Sequence, residues 1–349
     1  MSDFYPLKVA QLKKITPNAV AISFEIPGEL KEVFTFKAGQ YITIKHHVDG
    51  KEIRRAYSIS SGPEEEYITV GIKKVPSGLF SVHANTSLKE GDVLQIMPPE
   101  GRFIFEPTSK PDHVIAFAAG SGITPVMSII RTVLESDPDN TMVLVYGNQN
   151  REETMFYEHL MTLKEKYTDR FFIQFLYSRA HEENSLFGRI EGSTVNYISR
   201  NVFKDRVFSA YYLCGPELMI QAVSDGLKEN GVLENLIFTE LFSSPTSDSG
   251  NLELEEGMAA ISVTLDEEEF NFTMNKKKLL LDTVLDHDID APYSCQGGVC
   301  STCIARIKEG TVVMEQNQIL TDSEIEEGLI LTCQSHPTSQ VLKIDYDDV

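Results

Sequence analysis

At Pro111 the hydrophobic pattern of this chain changes, and the change divides what the chain can fold into. Before it, "AVAISFEIP", "GQYITIKHHVDGKEIRRAYSIS" and "EYITVGIKKV" are short segments rich in β-branched and aromatic residues, bounded by turn residues. Such segments form half-buried strands, and Asp49-Gly50 reads as a hairpin turn between two of them. "GDVLQIMPPEGRFIF" closes the set, so residues 3–108 are expected to form a small antiparallel β-barrel. After Pro111, "HVIAFAAG", "TMVLVYG", "RFFIQFLYS", "AYYLCG" and "NLIFTELF" are continuous apolar runs separated by helical stretches. Strands buried on both faces that alternate with helices make a parallel sheet, which predicts an α/β domain over 110–242. The Ser-, Gly- and acid-rich stretch "SSPTSDSGNLELEEG", 243–257, reads as a flexible linker. A last domain over 258–349 opens with the strand "AAISVTLD".

At 349 residues, with 42% hydrophobic, the chain can bury the two or three cores this plan needs. It has no apolar run of about 18 residues, so no membrane span is expected. The first residues, "MSDFYPLKVAQLKK", lack the apolar stretch of a signal peptide. The expected location is the cytoplasm, where clustered cysteines bind metal more often than they pair. Net charge is −21, and from Met258 onward 17 acidic residues face 6 basic ones. That field repels nucleic acid and steers the chain toward a basic partner protein, although solubility alone accounts for it equally well. "KKK" at 276–278 and "DEEE" at 266–269 read as the solvated charges of a hairpin, and the adjacent His46 and His47 as surface or barrel residues.

The last domain holds four of the five cysteines, as Cys295-x4-Cys300-x2-Cys303 with Cys333 farther on. C-x4-C-x2-C…C is the plant-type spacing for a [2Fe–2S] cluster, in which each iron takes two thiolates. Gln296, Gly297 and Gly298 allow a tight turn whose N–H groups face the sulfides. Structural zinc is the alternative, but zinc sites pair short elements, and here the fourth cysteine stands alone. Residues 259–349 resemble a plant-type ferredoxin domain, which implies a β-grasp α+β fold with all four cysteines as ligands.

Such a cluster takes one electron at low potential, whereas nicotinamide nucleotides give two as hydride; a flavin converts between them. Upstream, "RAYSI" (Arg55, Ala56, Tyr57, Ser58, Ile59) resembles the R-x-Y-S motif of the ferredoxin–NADP reductase superfamily. The resemblance implies that Arg55 neutralises a flavin phosphate, Tyr57 stacks on the isoalloxazine and Ser58 bonds near its N5. "PSGLFSVH" matches the family's G-x-x-S turn at Gly78 and Ser81 and opens a helix. The N–H groups of Leu79, Phe80 and Ser81 would then face the flavin pyrophosphate. "AAGSGITPV" follows a strand and opens a helix; it resembles the family's G-[ST]-G-x-x-P nucleotide loop, with Gly120, Gly122 and Thr124 as binding residues. "LCGPELM" carries Cys214 at the position of the family's C-G motif, where nicotinamide meets flavin. "TELF" places Glu240 and Phe242 where the family ends in Glu-x-Tyr, the aromatic covering the flavin; this chain has Phe in that position and continues beyond it. Ser58, Cys214 and Glu240 are thus the expected set around flavin N5, as positioning groups rather than covalent catalysts. Ser178 and Arg179, after the third strand of the α/β domain, resemble the Ser-Arg pair of NADP-dependent reductases.

The domain order resembles the reductase subunits of multicomponent oxygenases, among them the phenylacetyl-CoA epoxidase type. Phthalate dioxygenase reductases share the order but use FMN; the G-x-x-S turn favours FAD here. The resemblance implies an NAD(P)H-dependent reductase that passes electrons through FAD and a [2Fe–2S] cluster to an oxygenase or another protein acceptor, with NADPH preferred to NADH. The competing readings are an iron–sulfur carrier or redox sensor with an inactive reductase half, and a zinc-stapled interaction protein. Visible absorption separates the three.

Overall fold

The computed structural model describes residues 4–48, 50–242 and 257–349. The expected linker, apart from Gly257, and Asp49 of the expected hairpin turn lie outside the described residues. The chain forms two compact units: the larger takes in Tyr5–Ile53 and Tyr57–Phe242, and the smaller is centred on the C-terminal domain.

The N-terminal part has β1 (Tyr5–Thr16), β2 (Ala19–Glu25), β3 (Tyr41–Val48), β4 (Lys51–Ser58), β5 (Tyr67–Lys73), α1 (Leu79–Thr86) and β6 (Val93–Ile96). The strands form one sheet in the order β4-β3-β6-β1-β2-β5. Ile59, just past β4, bridges Val70 of β5 and brings the two edges together, as a barrel requires. Alternate residues of these strands, including Leu7, Val9, Ile22, Phe24, Ile42, Ile44, Val70 and Ile72, fill the interior. Helix α1 closes one opening by adding Phe80 and Ala84 to that core.

The second part has β7 (His113–Ala119), α2 (Ile123–Ser136), β8 (Thr141–Asn148), α3 (Tyr157–Lys166), β9 (Phe171–Tyr177), β10 (Ser185–Phe187), α4 (Gly192–Tyr197), β11 (Ala210–Gly215), α5 (Glu217–Glu229) and β12 (Ile237–Leu241). All six strands are parallel, in the order β10-β9-β8-β7-β11-β12. The chain starts in the middle at β7, winds outward through β8 and β9, then returns to β11. The strand order reverses beside β7, and ligands of open α/β sheets gather at such a point, at the carboxyl ends of the strands. The continuous apolar runs are explained by burial on both faces: Ala116 and Leu144 face one core cluster, Phe117 and Val143 the other.

The C-terminal domain has β13 (Met258–Leu265), β14 (Glu268–Asn275), α6 (Leu280–Asp286), β15 (Ile304–Glu309), β16 (Val312–Met314), α7 (Asp322–Glu326), β17 (Leu329–Leu331), β18 (Ser335–Pro337) and β19 (Val341–Asp345). Five strands form a mixed sheet, β14-β13-β19-β15-β17, with β13 and β19 parallel at its centre. A separate two-stranded ribbon pairs β16 with β18. Helix α6 packs its buried Leu280, Leu281 and Val284 into the core. One surface expectation is corrected here. "DEEE" is exposed, as are Lys277 and Lys278, but Lys276 is buried and its Nζ donates to the Thr338 carbonyl at 2.7 Å. A lysine stem buries readily when its ammonium still finds an acceptor. Among the described residues no helix is long and apolar enough to cross a membrane.

Candidate active site and electron-transfer centre

Arg55, Ala56, Tyr57 and Ser58 are consecutive on β4. Helix α1 begins at Leu79, with Gly78 as its N-cap and no side chain capping its first turn. The Ser81 hydroxyl explains the G-x-x-S spacing: it accepts from the Val75 N–H at 3.1 Å and donates to the Gly78 carbonyl at 3.4 Å. A Cβ on Gly78 would sit 2.4 Å from that oxygen, so the turn needs glycine there. The Phe80 ring lies in the barrel core, 5.7 Å from the Tyr57 ring, so the backbone of Phe80 is what it offers an anion. The first N–H groups of a helix have no intrahelical partners, which makes this turn an anion cradle beside β4.

The G-S-G-I-T-P loop lies at the sheet's reversal point. Gly120 takes a φ of +56°, and residues 120–122 turn directly into α2, whose first turn contains Pro125 and again has no side-chain cap. Gly122 lies against the end of β11: a Cβ there would meet the Cys214 carbonyl oxygen at 2.2 Å. The Thr124 side chain is turned inward, its hydroxyl donating to the Ser121 carbonyl at 3.0 Å. Its backbone N–H remains in the helix's first turn.

Cys214 is the penultimate residue of β11 and pairs in register with Glu240 on β12. From the barrel, the Ser58 hydroxyl donates to a Glu240 carboxylate oxygen at 3.3 Å. The expected trio is therefore brought together across 182 residues of sequence. Burial pushes the Cys214 thiol well above its ordinary range, and the Glu240 carboxylate pushes it further. Such a thiol stays protonated and is a poor nucleophile. Burial also raises the Glu240 carboxyl to about 8, against the opposing effect of the Ser58 hydrogen bond. Phe242, just beyond β12, is exposed.

After β9, the Ser178 N–H donates to the Asn148 carbonyl at 3.0 Å and the Arg179 N–H to the Gln149 carbonyl at 2.9 Å. The loop is thus tied to the end of β8, with the Arg179 side chain exposed and the His181 and Phe187 rings stacked 4.1 Å apart beside it. Sequence reasoning missed two supports of this edge. The Tyr146 hydroxyl donates to the Gly120 carbonyl at 2.9 Å and holds the Gly120–Gly122 turn. Gly71 of β5 admits Thr124 and Phe156, which would lie 2.8 Å and 2.9 Å from a Cβ there. A glycine inside a strand was the available signal for that close approach.

In the C-terminal domain Cys300, Cys303 and Cys333 are buried and Cys295 is partly so. The thiols act on one another in two pairs, Cys295 with Cys300 and Cys303 with Cys333. Against burial, the neighbouring Cys300 and then the N–H groups of Gly297, Val299 and Cys300 pull the Cys295 thiol below its ordinary range, while Cys300 is pushed up. The left-handed turn positions are Gln296 (φ +55°) and Gly298 (φ +72°) rather than both glycines. Among the described residues no three His, Cys, Asp or Glu side chains converge as they would around a single ion. Two pairs of thiols, wrapped by N–H donors, fit a binuclear cluster that takes two thiolates per iron.

Known proteins agree with this plan. Residues 6–105 match the oxidoreductase FAD-binding domain family, 117–225 the oxidoreductase NAD-binding domain family, and 263–338 the 2Fe-2S iron-sulfur cluster binding domain family. The structure of phthalate dioxygenase reductase superposes with a TM-score of 0.62 at 21% identity, covering 98% of each chain. Fold and domains together define an NAD(P)H-dependent flavoprotein reductase that carries electrons through FAD to a [2Fe–2S] centre. One subunit of the 1,2-phenylacetyl-CoA epoxidase of Escherichia coli is 33% identical over 99% of both chains. The 3-ketosteroid-9-alpha-monooxygenase ferredoxin reductase component of Rhodococcus rhodochrous is 31% identical, over 97% of this chain and 96% of that one. This chain belongs to their family, the reductase components of oxygenase systems.

Proposed function

We propose that this protein is the NADPH-oxidising reductase of an oxygenase of the phenylacetyl-CoA epoxidase type and works in the cytoplasm, where its thiols stay reduced. The observation that carries the reductase reading is the meeting of Ser58, Cys214 and Glu240 beside the Gly120–Gly122 turn, where hydride acceptor and donor would face each other. Similarity to the epoxidase subunit supports the choice of oxygenase. When bound, FAD accepts hydride from the nucleotide and the cluster passes single electrons onward.

In this reading the Arg55 guanidinium and the N–H groups of Leu79, Phe80 and Ser81 bind the flavin phosphates. Tyr57 and Phe242 cover the ring system. The Ser58 hydroxyl and the Glu240 carboxyl hold a proton at the flavin's reactive edge, and the neutral Cys214 thiol offers the nicotinamide a close, unreactive contact. The Gly120–Gly122 turn and the first turn of α2 bind the nucleotide pyrophosphate. Cys295, Cys300, Cys303 and Cys333 would hold the iron–sulfur cluster. Hydride transfer gains most from such positioning, because the cofactors carry the chemistry.

Arg179 supports NADPH over NADH. It is an exposed guanidinium on the loop after β9, and a 2′-phosphate is a good partner for its planar fork. Glu182 and Glu183 in the same loop oppose it. The test is kcat/KM for both nucleotides in wild type and Arg179→Ala. A preference for NADPH that the variant loses supports the assignment. Equal loss with both nucleotides makes Arg179 a general phosphate contact, and a wild-type preference for NADH overturns it. For the oxygenase, the test is NADPH-driven epoxidation of phenylacetyl-CoA with the remaining epoxidase subunits.

A further inference from the structure

The C-terminal domain contains an acid–base pair, a buried His336 and a half-buried Glu315, to which the electron-transfer reading gives no task. His336 lies on β18, three residues beyond Cys333, and its side chain is 3% exposed. Its Nδ1 lies 3.2 Å from the Lys276 carbonyl and 3.0 Å from the Lys278 carbonyl. Carbonyl oxygens only accept, so Nδ1 carries a proton. Its Nε2 lies 2.8 Å from Glu315 Oε1. A neutral ring protonated at Nδ1 would turn a lone pair toward an ionised carboxylate. The contact is a hydrogen bond only when one proton lies between Nε2 and Oε1, as imidazolium with carboxylate or as imidazole with carboxylic acid. Either arrangement leaves the pair without net charge.

The pair is built into the frame of the cysteine loop. The Glu315 N–H donates to the Gln334 carbonyl at 2.8 Å, and Gln334 Nε2 donates to the Gln296 carbonyl at 3.0 Å. The Gln318 N–H donates to the Gly298 carbonyl at 3.1 Å. Charged groups packed about the pair are the buried Lys276, whose ammonium donates to the Thr338 carbonyl, and Lys277, Lys278, Asp282 and Asp286, which with Glu315 and His336 line an open cavity of about 620 Å³. Lys278 Nζ is 3.3 Å from the Asp286 carboxylate, so part of that charge is already compensated.

We propose that Glu315 and His336 are a positioning pair for the iron–sulfur step: holding one proton between them, they add no net charge behind Cys333 and so set the reduction potential of the cluster. The proposal rests on the assignment of the four cysteines as cluster ligands. Three residues of chain separate Cα atoms by at most about 11 Å. Taking the same distance for the Glu315 carboxylate, one uncompensated negative charge there, at an effective dielectric of about 20, disfavours adding an electron about tenfold. For a one-electron couple that is about 59 mV.

The two partners then differ in effect. His336→Gln retains an amide that can donate to Glu315 but leaves the carboxylate uncompensated. Glu315→Gln leaves a neutral amide beside a neutral imidazole. The test is redox titration of the cluster in the full-length holoprotein at pH 7, with iron content and visible absorption measured on each sample. The expected result is a potential about 59 mV lower in His336→Gln and nearly unchanged in Glu315→Gln. Equal potentials in all three proteins, or equal shifts of the same sign, would overturn the proposal, since a merely structural pair would respond alike to either change. Wild-type protein without iron would instead refute the four-cysteine assignment and the pair with it. If the variants alone lose iron, the ¹⁵N shifts of His336 in wild type decide: a proton on the Nε2–Oε1 contact supports the pair, and a bare Nε2 beside an ionised Glu315 overturns it.

Discussion

Alanine at Gly122 would test whether the nucleotide loop is positioned by the end of β11. The backbone there, φ −61° and ψ −7°, suits any residue, so conformational strain contributes nothing. The new Cβ would lie 2.2 Å from the Cys214 carbonyl oxygen, 2.5 Å from its carbon and 2.9 Å from the Gly215 nitrogen. Carbon needs about 3.5 Å from nonbonded heavy atoms, so loop and strand must part by about 1 Å. All three obstacles are backbone atoms of a strand hydrogen-bonded on both sides, and none can rotate away. Overpacking of this kind costs about 1–3 kcal/mol of stability. A shift of about 1 Å in a positioned reactant costs about a hundredfold in rate. Gly120→Ala is the control, because its φ of +56° strains alanine by about 1–2 kcal/mol but nothing lies within 4 Å of its Cβ. Stopped-flow bleaching of the flavin by NADPH, with flavin and iron measured on each protein, reads the difference. Gly122→Ala should bleach about a hundredfold more slowly with both cofactors retained, and Gly120→Ala should lose less than tenfold. Bleaching at the wild-type rate in Gly122→Ala would refute the idea that this contact aligns the hydride step.

Three further outcomes are expected. Because the Glu240 carboxyl is raised to about 8, the folded protein keeps a proton that the unfolded chain releases from about 4.5; stability should fall as pH rises through that window, and Glu240→Gln should flatten the fall in thermal melts at pH 5 and pH 8. Parallel curves for the two proteins would count against the buried carboxyl. Arg55→Ala should weaken flavin binding about tenfold to a hundredfold in a titration while iron content is unchanged, since a charge-assisted phosphate bond is worth roughly 1.5–3 kcal/mol. Cys333→Ala should abolish cytochrome c reduction yet leave ferricyanide reduction, which draws on the flavin; full iron and full cytochrome c activity would show that Cys333 is no ligand.

Local regularities of the sequence determined the architecture. Alternating strands before Pro111, continuous apolar runs after it and the Cys295–Cys300–Cys303 spacing each depend on residues near one another in the chain, with Cys333 the one distant member. Strand period, burial on two faces and the reach of a metal-binding loop are set at that range, and they appear in the structure as the barrel, the parallel sheet and the cysteine loop. Resemblance to known motifs then singled out Ser58, Cys214 and Glu240. Their meeting was decided by tertiary structure, because it depends on the register of β11 against β12 and on how the barrel faces that edge. The same holds for the room that Gly71 leaves to Thr124 and Phe156, for the burial of Lys276 in what reads as a solvated charge run, and for the junction of Glu315 with His336 across the β16–β18 ribbon. Each of these joins residues whose own neighbours in sequence say nothing of the partner. A side chain's environment is set by what packs against it, and for these residues the packing comes from distant parts of the chain.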